Sequence, residues 1–189
     1  MAERIDTWFG PSALLTPANA VTALRVLLTP LLLILIVGVG PSWPALVLWV
    51  ALAGTDGVDG YLARRQGTTR SGAFLDPLAD KLLVLGALWA LVVEGTVWWL
   101  PVAVITAREV AMSAYRSLVA RHGTSIPARG TAKVKTVVQA VAVGVALCPP
   151  FVERAGWLAS TVLWAAVVLT LVSGYQYLRD GRAATHARS

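Results

Sequence analysis

Six apolar runs, each close to the length needed to cross a bilayer, divide the chain. A membrane-spanning helix needs about 20 apolar residues, and clusters rich in glycine, proline and serine separate the runs. These breaks predict helices at roughly 19–38, 43–65, 72–94, 97–121, 131–149 and 156–178. Only 14% of the residues are charged and 57% are hydrophobic, whereas about a quarter of an average soluble domain is charged. The sequence therefore predicts an all-α integral membrane protein with six transmembrane helices.

The two ends of the chain differ from the apolar part between them. Residues 1–18 are expected to include a short interfacial helix that presents Trp8 and Phe9 to the headgroup region. No signal-peptide cleavage site follows a short apolar run, so we expect the first apolar segment to be retained. Residues 179–189 are polar and basic, and we expect a disordered cytoplasmic tail. The predicted organisation is an N-terminal segment 1–18, a six-helix transmembrane domain 19–178 and the tail.

Basic residues fall almost entirely on one side of this arrangement. The chain has 16 lysines and arginines, and only Arg154 lies in a loop on the opposite side. Cytoplasmic loops of membrane proteins are enriched in these residues, so we predict that both termini face the cytoplasm and that the chain is a multi-pass protein of the inner membrane. The net charge of +6, distributed in this way, favours lipid headgroups and phosphorylated substrates as partners over nucleic acid.

Four aspartates come together where the second predicted helix ends and the third begins. Asp56 and Asp59 are three residues apart, and Asp76 and Asp80 are four apart, so each pair shares a helix face. A short connection makes neighbouring helices antiparallel, so the four carboxylates can converge near one membrane surface. Like charges disfavour one another's ionised form in an apolar medium. Protonation is one remedy and a divalent cation is the other. Because no His or Cys accompanies the aspartates, Mg²⁺ or Mn²⁺ is the expected cation, and two such ions can clamp a phosphoryl group.

The simpler alternative is that these aspartates are helix-end acids that pair with nearby arginines and Lys81. That explanation suits one acid better than four, because ionisable groups at membrane depth are costly and usually functional. Gly60 lets a ligand approach the helix backbone closely, and Arg64 is a planar donor suited to phosphate oxygens. The pattern favours a site for a phosphorylated substrate.

These residues resemble the signature of the CDP-alcohol phosphotransferase family. The chain contains all eight fixed positions of that signature, which are Asp56-x-x-Asp59-Gly60-x-x-Ala63-Arg64 and, after seven residues, Gly72-x-x-x-Asp76-x-x-x-Asp80. The resemblance implies a homodimer of six-helix membrane subunits with a divalent-metal site facing the cytoplasm. It implies that Asp56, Asp59 and Asp76 are metal ligands. Asp80 is implied to be both a ligand and the base that deprotonates the attacking hydroxyl.

The resemblance also implies contacts with the CDP-linked substrate. Gly60 and Arg64 would contact it, and the start of the first helix would place Asn19 and Thr22 beside the nucleotide. On the residues alone, capping of that helix by Asn19 or Thr16 is an equal alternative.

Basic residues of the fourth and fifth predicted helices narrow the identity of the acceptor. Arg108 and Glu109 lie inside an apolar run, and Arg116 follows two turns later on roughly the same face. Three cations lie near the start of the fifth helix: Arg129, Lys133 and Lys135. The helix dipole disfavours cations there, and an anionic ligand would compensate. We therefore expect a set of four cations to bind the phosphate of an acceptor: Arg108, Arg116, Lys133 and Lys135. The alternative is that Arg129, Lys133 and Lys135 hold the cytoplasmic loop against anionic lipid.

Two stretches, Ala107-Arg-Glu-Val110 and Lys133-Val-Lys-Thr-Val-Val-Gln139, resemble the branch of the family whose acceptor is glycerol 3-phosphate. That resemblance implies attack by a glycerol 3-phosphate hydroxyl on CDP-diacylglycerol, which gives phosphatidylglycerophosphate and CMP. Inositol phosphate, or phosphatidylglycerol as in a cardiolipin synthase, remain alternative acceptors. A cation transporter is a more distant alternative. Transporters need a path across the bilayer midplane, whereas these four aspartates are expected near one membrane surface. The last helix carries no motif that we can assign, and Tyr175 and Tyr177 are expected to be interface anchors.

Overall fold

Six α-helices make up the part of the chain that the computed structural model describes, namely the backbone of residues 17–66, 70–121 and 130–186 and the side chains of residues 20–55, 78–118 and 134–179. The helices are α1 (Pro17–Val39), α2 (Trp43–Gln66), α3 (Arg70–Glu94), α4 (Trp99–Arg121), α5 (Gly130–Leu147) and α6 (Pro149–His186). The first five agree with the predicted helices to within a turn, because glycine and proline clusters mark their ends.

The last helix differs most from the sequence prediction. We expected a break over residues 149–156, but α6 begins at Pro149 and is kinked at Ala155, where φ is −147° and ψ is 48°. Proline is favoured at the first position of a helix because its missing N–H has no intrahelical partner there. The expected disordered tail is also wrong for residues 179–186, since α6 continues to His186.

A tight turn joins α1 to α2. Gly40 has a φ of +77°, and its N–H donates to the carbonyl of Ile36 at 2.9 Å, which is the bond of a left-handed C-terminal cap. The Ser42 hydroxyl donates to the Gly40 carbonyl at 3.1 Å. The Ser42 carbonyl accepts the N–H of Leu46 at 2.9 Å, and this hydrogen bond closes the first turn of α2. The turn therefore ends one helix and starts the next within three residues.

The helices group into two units, which we describe separately. Met1–Glu94 contains α1 to α3, and in it α1 packs against both α2 and α3. Gly95–Ser189 contains α4 to α6, and in it α6 packs against both α4 and α5. Each unit thus has one helix on which the other two pack. The division into residues 1–18, 19–178 and 179–189 stays a prediction.

Two helices combine a small buried face with a large exposed apolar face. Among the described residues, Ala20–Val39 and Pro149–Arg179 are long and apolar enough to cross a membrane, and only 28% of the apolar stretch of each is buried. In α1, for example, Leu27 is 73% exposed and Ile34 is 69% exposed. Exposed apolar surface of this extent indicates contact with lipid or another protein surface. Two shorter apolar segments, Trp43–Thr55 and Val134–Leu147, accompany them, and the count of six spans stays a prediction.

The turn after α1 gives the first testable prediction. A Cβ at Gly40 would lie 3.0 Å from Oε1 of Glu94 and would occupy a left-handed backbone conformation. Gly40→Ala should therefore lower the free energy of unfolding by about 1–2 kcal/mol, measured as a lower midpoint of thermal unfolding in detergent. Gly38→Ala is the control, because a Cβ there meets nothing within 4 Å. Equal midpoints for the two variants would contradict the strained cap.

Candidate active site

The four aspartates lie on α2 and α3 at matching distances from the connection between these helices. Asp59 and Asp56 lie seven and ten residues before the last residue of α2. Asp76 and Asp80 lie six and ten residues after the first residue of α3. At 1.5 Å per residue along the backbone, each helix has one aspartate position roughly 10 Å and another roughly 15 Å from its end at the connection. Since only three residues join α2 to α3, an antiparallel arrangement would place the two pairs at the same two levels.

Side-chain positions are described for one of these aspartates. Asp80 is half-buried, whereas the side chains of Asp56, Asp59 and Asp76, and those of Gly60 and Arg64, lie outside the described residues. Among the side chains that are described, no three His, Cys, Asp or Glu residues form a group that could hold a metal ion. Three of the four predicted metal ligands lie outside that part of the chain, and the metal site stays a prediction.

The start of α1 decides one alternative from the sequence analysis. Because α1 begins at Pro17, Asn19 is its third residue and lies inside the helix, so Asn19 is not its N-cap. Thr16, the other candidate cap, lies outside the described residues. Thr22 is buried, with 2% of its surface exposed. Asn19 and Thr22 therefore stay candidates for contact with the nucleotide.

Arg25 is a buried cation that sequence analysis placed only among the charges of the cytoplasmic side. It is 1% exposed, and its Nε donates to Oγ1 of Thr55 at 3.3 Å. Thr55 in turn donates to the carbonyl of Leu52 at 2.6 Å and directly precedes Asp56 in the sequence. A cation of α1 is thus held one residue from the first aspartate. The missed signal is the spacing of Thr22, Arg25 and Thr29, which repeats at i, i+3 and i+7 on one face of an apolar helix.

In the second unit, Glu109 pairs with two of the cations predicted to bind the acceptor. Its Oε1 accepts from Nη1 of Arg108 at 3.0 Å and also from Nζ of Lys135. The side chains of Arg108, Glu109 and Lys135 are only 15%, 10% and 8% exposed. Buried charges are costly unless they are paired, so a single carboxylate holds both cations in place and joins α4 to α5.

The last helix supplies further partners, although its sequence offered no motif. Oγ of Ser173 accepts from Nη2 of Arg108 at 2.8 Å, and Oγ1 of Thr170 accepts from the Gln139 amide at 3.1 Å. A Cβ at Gly174 would lie 3.1 Å from Nε of Arg108. The residues on this face of α6, which we term its polar face, follow the helical spacing i, i+3, i+4 and i+7: Thr170, Ser173, Gly174 and Tyr177. That spacing is the signal that sequence analysis missed.

Arg116 also lies against α6. Its guanidinium carbon is 5.6 Å from the ring centroid of Tyr177, which is a cation–π distance. Tyr177 packs edge-to-face on Tyr115, with centroids 6.0 Å apart and planes at 82°. Arg108 and Arg116 therefore share the face of α4 that contacts α6, as predicted. Tyr175 is 70% exposed, as an interface anchor would be, whereas Tyr177 packs within its own unit. The Lys133 side chain lies outside the described residues.

Comparison with known proteins identifies the family. A family model described as CDP-alcohol phosphatidyltransferase matches residues 15–172. This chain belongs to the CDP-alcohol phosphatidyltransferase family. The predicted family is therefore confirmed, and the chain is a membrane transferase of phospholipid biosynthesis rather than a cation transporter. The match includes all four aspartates and the cations of α4 and α5, and it ends just before Ser173.

Two relatives extend over most of the chain. The chain is 41% identical over 171 residues to a probable phosphatidylglycerophosphate synthase of Mycobacterium tuberculosis, covering 85% of this chain and 79% of the relative. It is 43% identical over 172 residues to the CDP-diacylglycerol–glycerol-3-phosphate 3-phosphatidyltransferase of Escherichia coli, covering 86% of this chain and 92% of the relative.

The contact between Arg25 and Thr55 generates a second prediction. Thr55→Val removes the hydroxyl that accepts from Arg25 beside Asp56. It should lower the transferase kcat and reduce the free energy of unfolding by about 1–3 kcal/mol, because a buried charged donor loses a partner. Thr55→Ser retains the hydroxyl and is the matched control. Activity in detergent and the midpoint of thermal unfolding measure the two effects, and identical behaviour of the Val and Ser variants would show that the hydrogen bond is unimportant.

Proposed function

We propose that this chain is a phosphatidylglycerophosphate synthase, which transfers the phosphatidyl group of CDP-diacylglycerol to glycerol 3-phosphate and releases CMP. The family supplies the chemistry, and the names of both relatives support the pair of substrates. The structural observation that supports the acceptor most directly is the buried pair Arg108 and Lys135, held by one oxygen of Glu109. Fixed cations of this kind suit the phosphate of a small acceptor.

The aspartates of α2 and α3 would hold two divalent metal ions. A donor set made only of carboxylate oxygens fits Mg²⁺ or Mn²⁺, and α2 and α3 would each contribute two of the four aspartates. When bound, the ions would offset negative charge on the diphosphate. Four other residues would contact the CDP-linked substrate: Asn19, Thr22, Gly60 and Arg64.

Asp80 is the proposed base. It would accept the proton of the attacking hydroxyl while the oxygen of glycerol 3-phosphate bonds to the lipid-linked phosphorus. The bond from that phosphorus to the oxygen of CMP breaks at the same centre, and CMP leaves with the bonding electrons. The phosphate of the acceptor takes no part in bond making, and Arg108, Arg116, Lys133 and Lys135 would hold it by charge and hydrogen bonds.

The same reaction needs a lipid-facing protein, because the acyl chains of CDP-diacylglycerol stay in the bilayer. We propose that the chain spans the inner membrane six times with an interfacial helix before α1, and that it forms a homodimer with both termini and the active site on the cytoplasmic side. The exposed apolar faces of α1 and α6 support this arrangement. The expected position of 15 of the 16 basic residues on one side agrees with the enrichment of such residues in cytoplasmic loops.

The acceptor is tested by comparing kcat/KM for three candidate acceptors, each supplied in turn. Purified protein with CDP-diacylglycerol and Mg²⁺ or Mn²⁺ should release CMP with glycerol 3-phosphate at a kcat/KM at least about tenfold above that with inositol phosphate or phosphatidylglycerol. Removal of divalent ions by EDTA should abolish release, and added Mg²⁺ or Mn²⁺ should restore it. A higher kcat/KM for either other acceptor would reassign the substrate, and full activity in EDTA would rule out the metal site.

The role of Asp80 has its own test. Asp80→Asn should reduce kcat by about 10²–10⁴-fold, because the amide does not accept the proton, while the Kd for CDP-diacylglycerol measured by calorimetry changes much less. Glu153→Gln is the control, since Glu153 is an exposed acid of α6 outside both clusters. Retained turnover in Asp80→Asn would remove Asp80 as the base.

A further inference from the structure

The acceptor phosphate needs a guanidinium held in one orientation, and the contacts of Arg108 show what holds it. We propose that Ser173 and Gly174, on the polar face of α6, are positioning residues that fix the plane of Arg108 for the acceptor phosphate. This inference rests on the proposed function and deepens it, because it names the helix that sets the geometry of acceptor binding.

All three nitrogen atoms of the guanidinium are constrained. Nη1 donates to Glu109 at 3.0 Å, Nη2 donates to Ser173 at 2.8 Å, and Nε lies 3.1 Å from the position that a Cβ at residue 174 would take. Since the guanidinium is planar, constraints on three of its atoms define both its position and its plane.

The Ser173 hydroxyl is itself held in one orientation. Its hydrogen is donated to the carbonyl of Thr170 at 3.1 Å, so the oxygen offers its lone pairs to Arg108. Ser173 is 5% exposed, and solvent therefore competes little for this bond. The hydroxyl acts as a fixed acceptor for one edge of the guanidinium.

Gly174 provides the space that this orientation requires. A Cβ there would lie 3.1 Å from Nε, 3.7 Å from Cγ and 3.7 Å from Nη2 of Arg108. The side chain cannot swing away freely, because Glu109 and Ser173 hold its far end. A methyl group at position 174 would therefore shift the guanidinium by a few tenths of an ångström or stretch both hydrogen bonds.

The orientation leaves donors for a ligand. A guanidinium has five N–H groups, and within the described part of the chain one hydrogen of Nη1 and one of Nη2 have acceptors, while Nε is buried without one. Unpartnered buried donors are unfavourable. The proposal assigns the remaining hydrogens of Nη1 and Nη2 to the acceptor phosphate, because guanidinium donors form charge-assisted hydrogen bonds with phosphate oxygens.

A shift of Arg108 would also affect the position of Lys135, the second cation. Oε1 of Glu109 accepts from both Arg108 and Lys135, so the two cations share one anchor. One turn along each helix, Gln139 of α5 donates to Thr170 of α6 at 3.1 Å. The polar face of α6 therefore contacts Arg108 of α4 and Gln139 of α5 directly, and Lys135 is linked to Arg108 through Glu109.

Gly174→Ala tests the proposal in the full-length enzyme. It should raise the KM for glycerol 3-phosphate roughly tenfold and leave the KM for CDP-diacylglycerol within about twofold, because only the acceptor cations move. Gly156→Ala is the matched control in the same helix, since a Cβ there meets nothing within 4 Å, and it should leave both constants unchanged. Ser173→Ala, which removes only the accepting oxygen, should raise the KM for the acceptor in the same direction.

A double-mutant cycle distinguishes positioning from a general loss of structure. Arg108→Lys replaces the planar group that meets Gly174, so Gly174→Ala should raise the acceptor KM no further in that background. An unchanged acceptor KM in both Gly174→Ala and Ser173→Ala, or an equal increase from Gly174→Ala with Lys at position 108, would overturn the positioning role. No CMP release by the wild-type enzyme with glycerol 3-phosphate would instead contradict the proposed function, on which this role depends.

Discussion

A charge buried among apolar helices is stable only beside an opposite charge or a ligand, and this constraint acts on both units of the chain. In the first unit a fully buried arginine, Arg25, contacts the residue before Asp56. In the second unit one carboxylate, Glu109, faces two buried cations. The signs are opposite: the first unit concentrates carboxylates and the second concentrates cations. Because each cluster favours ligands of the opposite sign, the proposed metal ions and acceptor phosphate suit the unit to which each is assigned.

The two central helices, α1 and α6, have the same structural role in their respective units. In the first unit α2 and α3 carry the aspartates, and both pack on α1; in the second, α4 and α5 carry the cations, and both pack on α6. Both central helices are apolar enough to cross a membrane, yet each has polar residues at helical spacing on the face that contacts its partners. In a bilayer, small and polar residues at such faces allow close packing and hydrogen bonds between helices. α1 and α6 therefore form hydrogen bonds with the helices that carry the proposed site residues.

The sequence predicted correctly those structural features that depend on residues close together in the chain. Turn clusters located the ends of the first five helices, and the spacing of Asp56, Asp59, Asp76 and Asp80 within continuous helices matches what the motif required. The start of α6 was misplaced because Pro149 breaks a helix in its interior but favours one at its first position. The contact of Arg108 with Ser173 joins residues 65 positions apart, and no local spacing predicts such a pair. The only indication of it in the sequence is the helical spacing of Thr170, Ser173 and Gly174. Residues of these types are so common that their spacing was not recognised as a signal.

Position as well as charge governs the choice of acceptor in such a site. Glycerol 3-phosphate and inositol phosphate both carry a phosphate, so cations alone do not separate them. They differ in the distance and direction from that phosphate to the hydroxyl that attacks, because one is a short flexible chain and the other a rigid ring. A guanidinium held by Glu109, Ser173 and Gly174 would fix the phosphate in the proposed site, and the shape of the acceptor would then decide where its hydroxyl lies. Since small errors in the position of reacting atoms lower rates steeply, the proposed role of the polar face of α6 would affect specificity without contact with the reacting atoms.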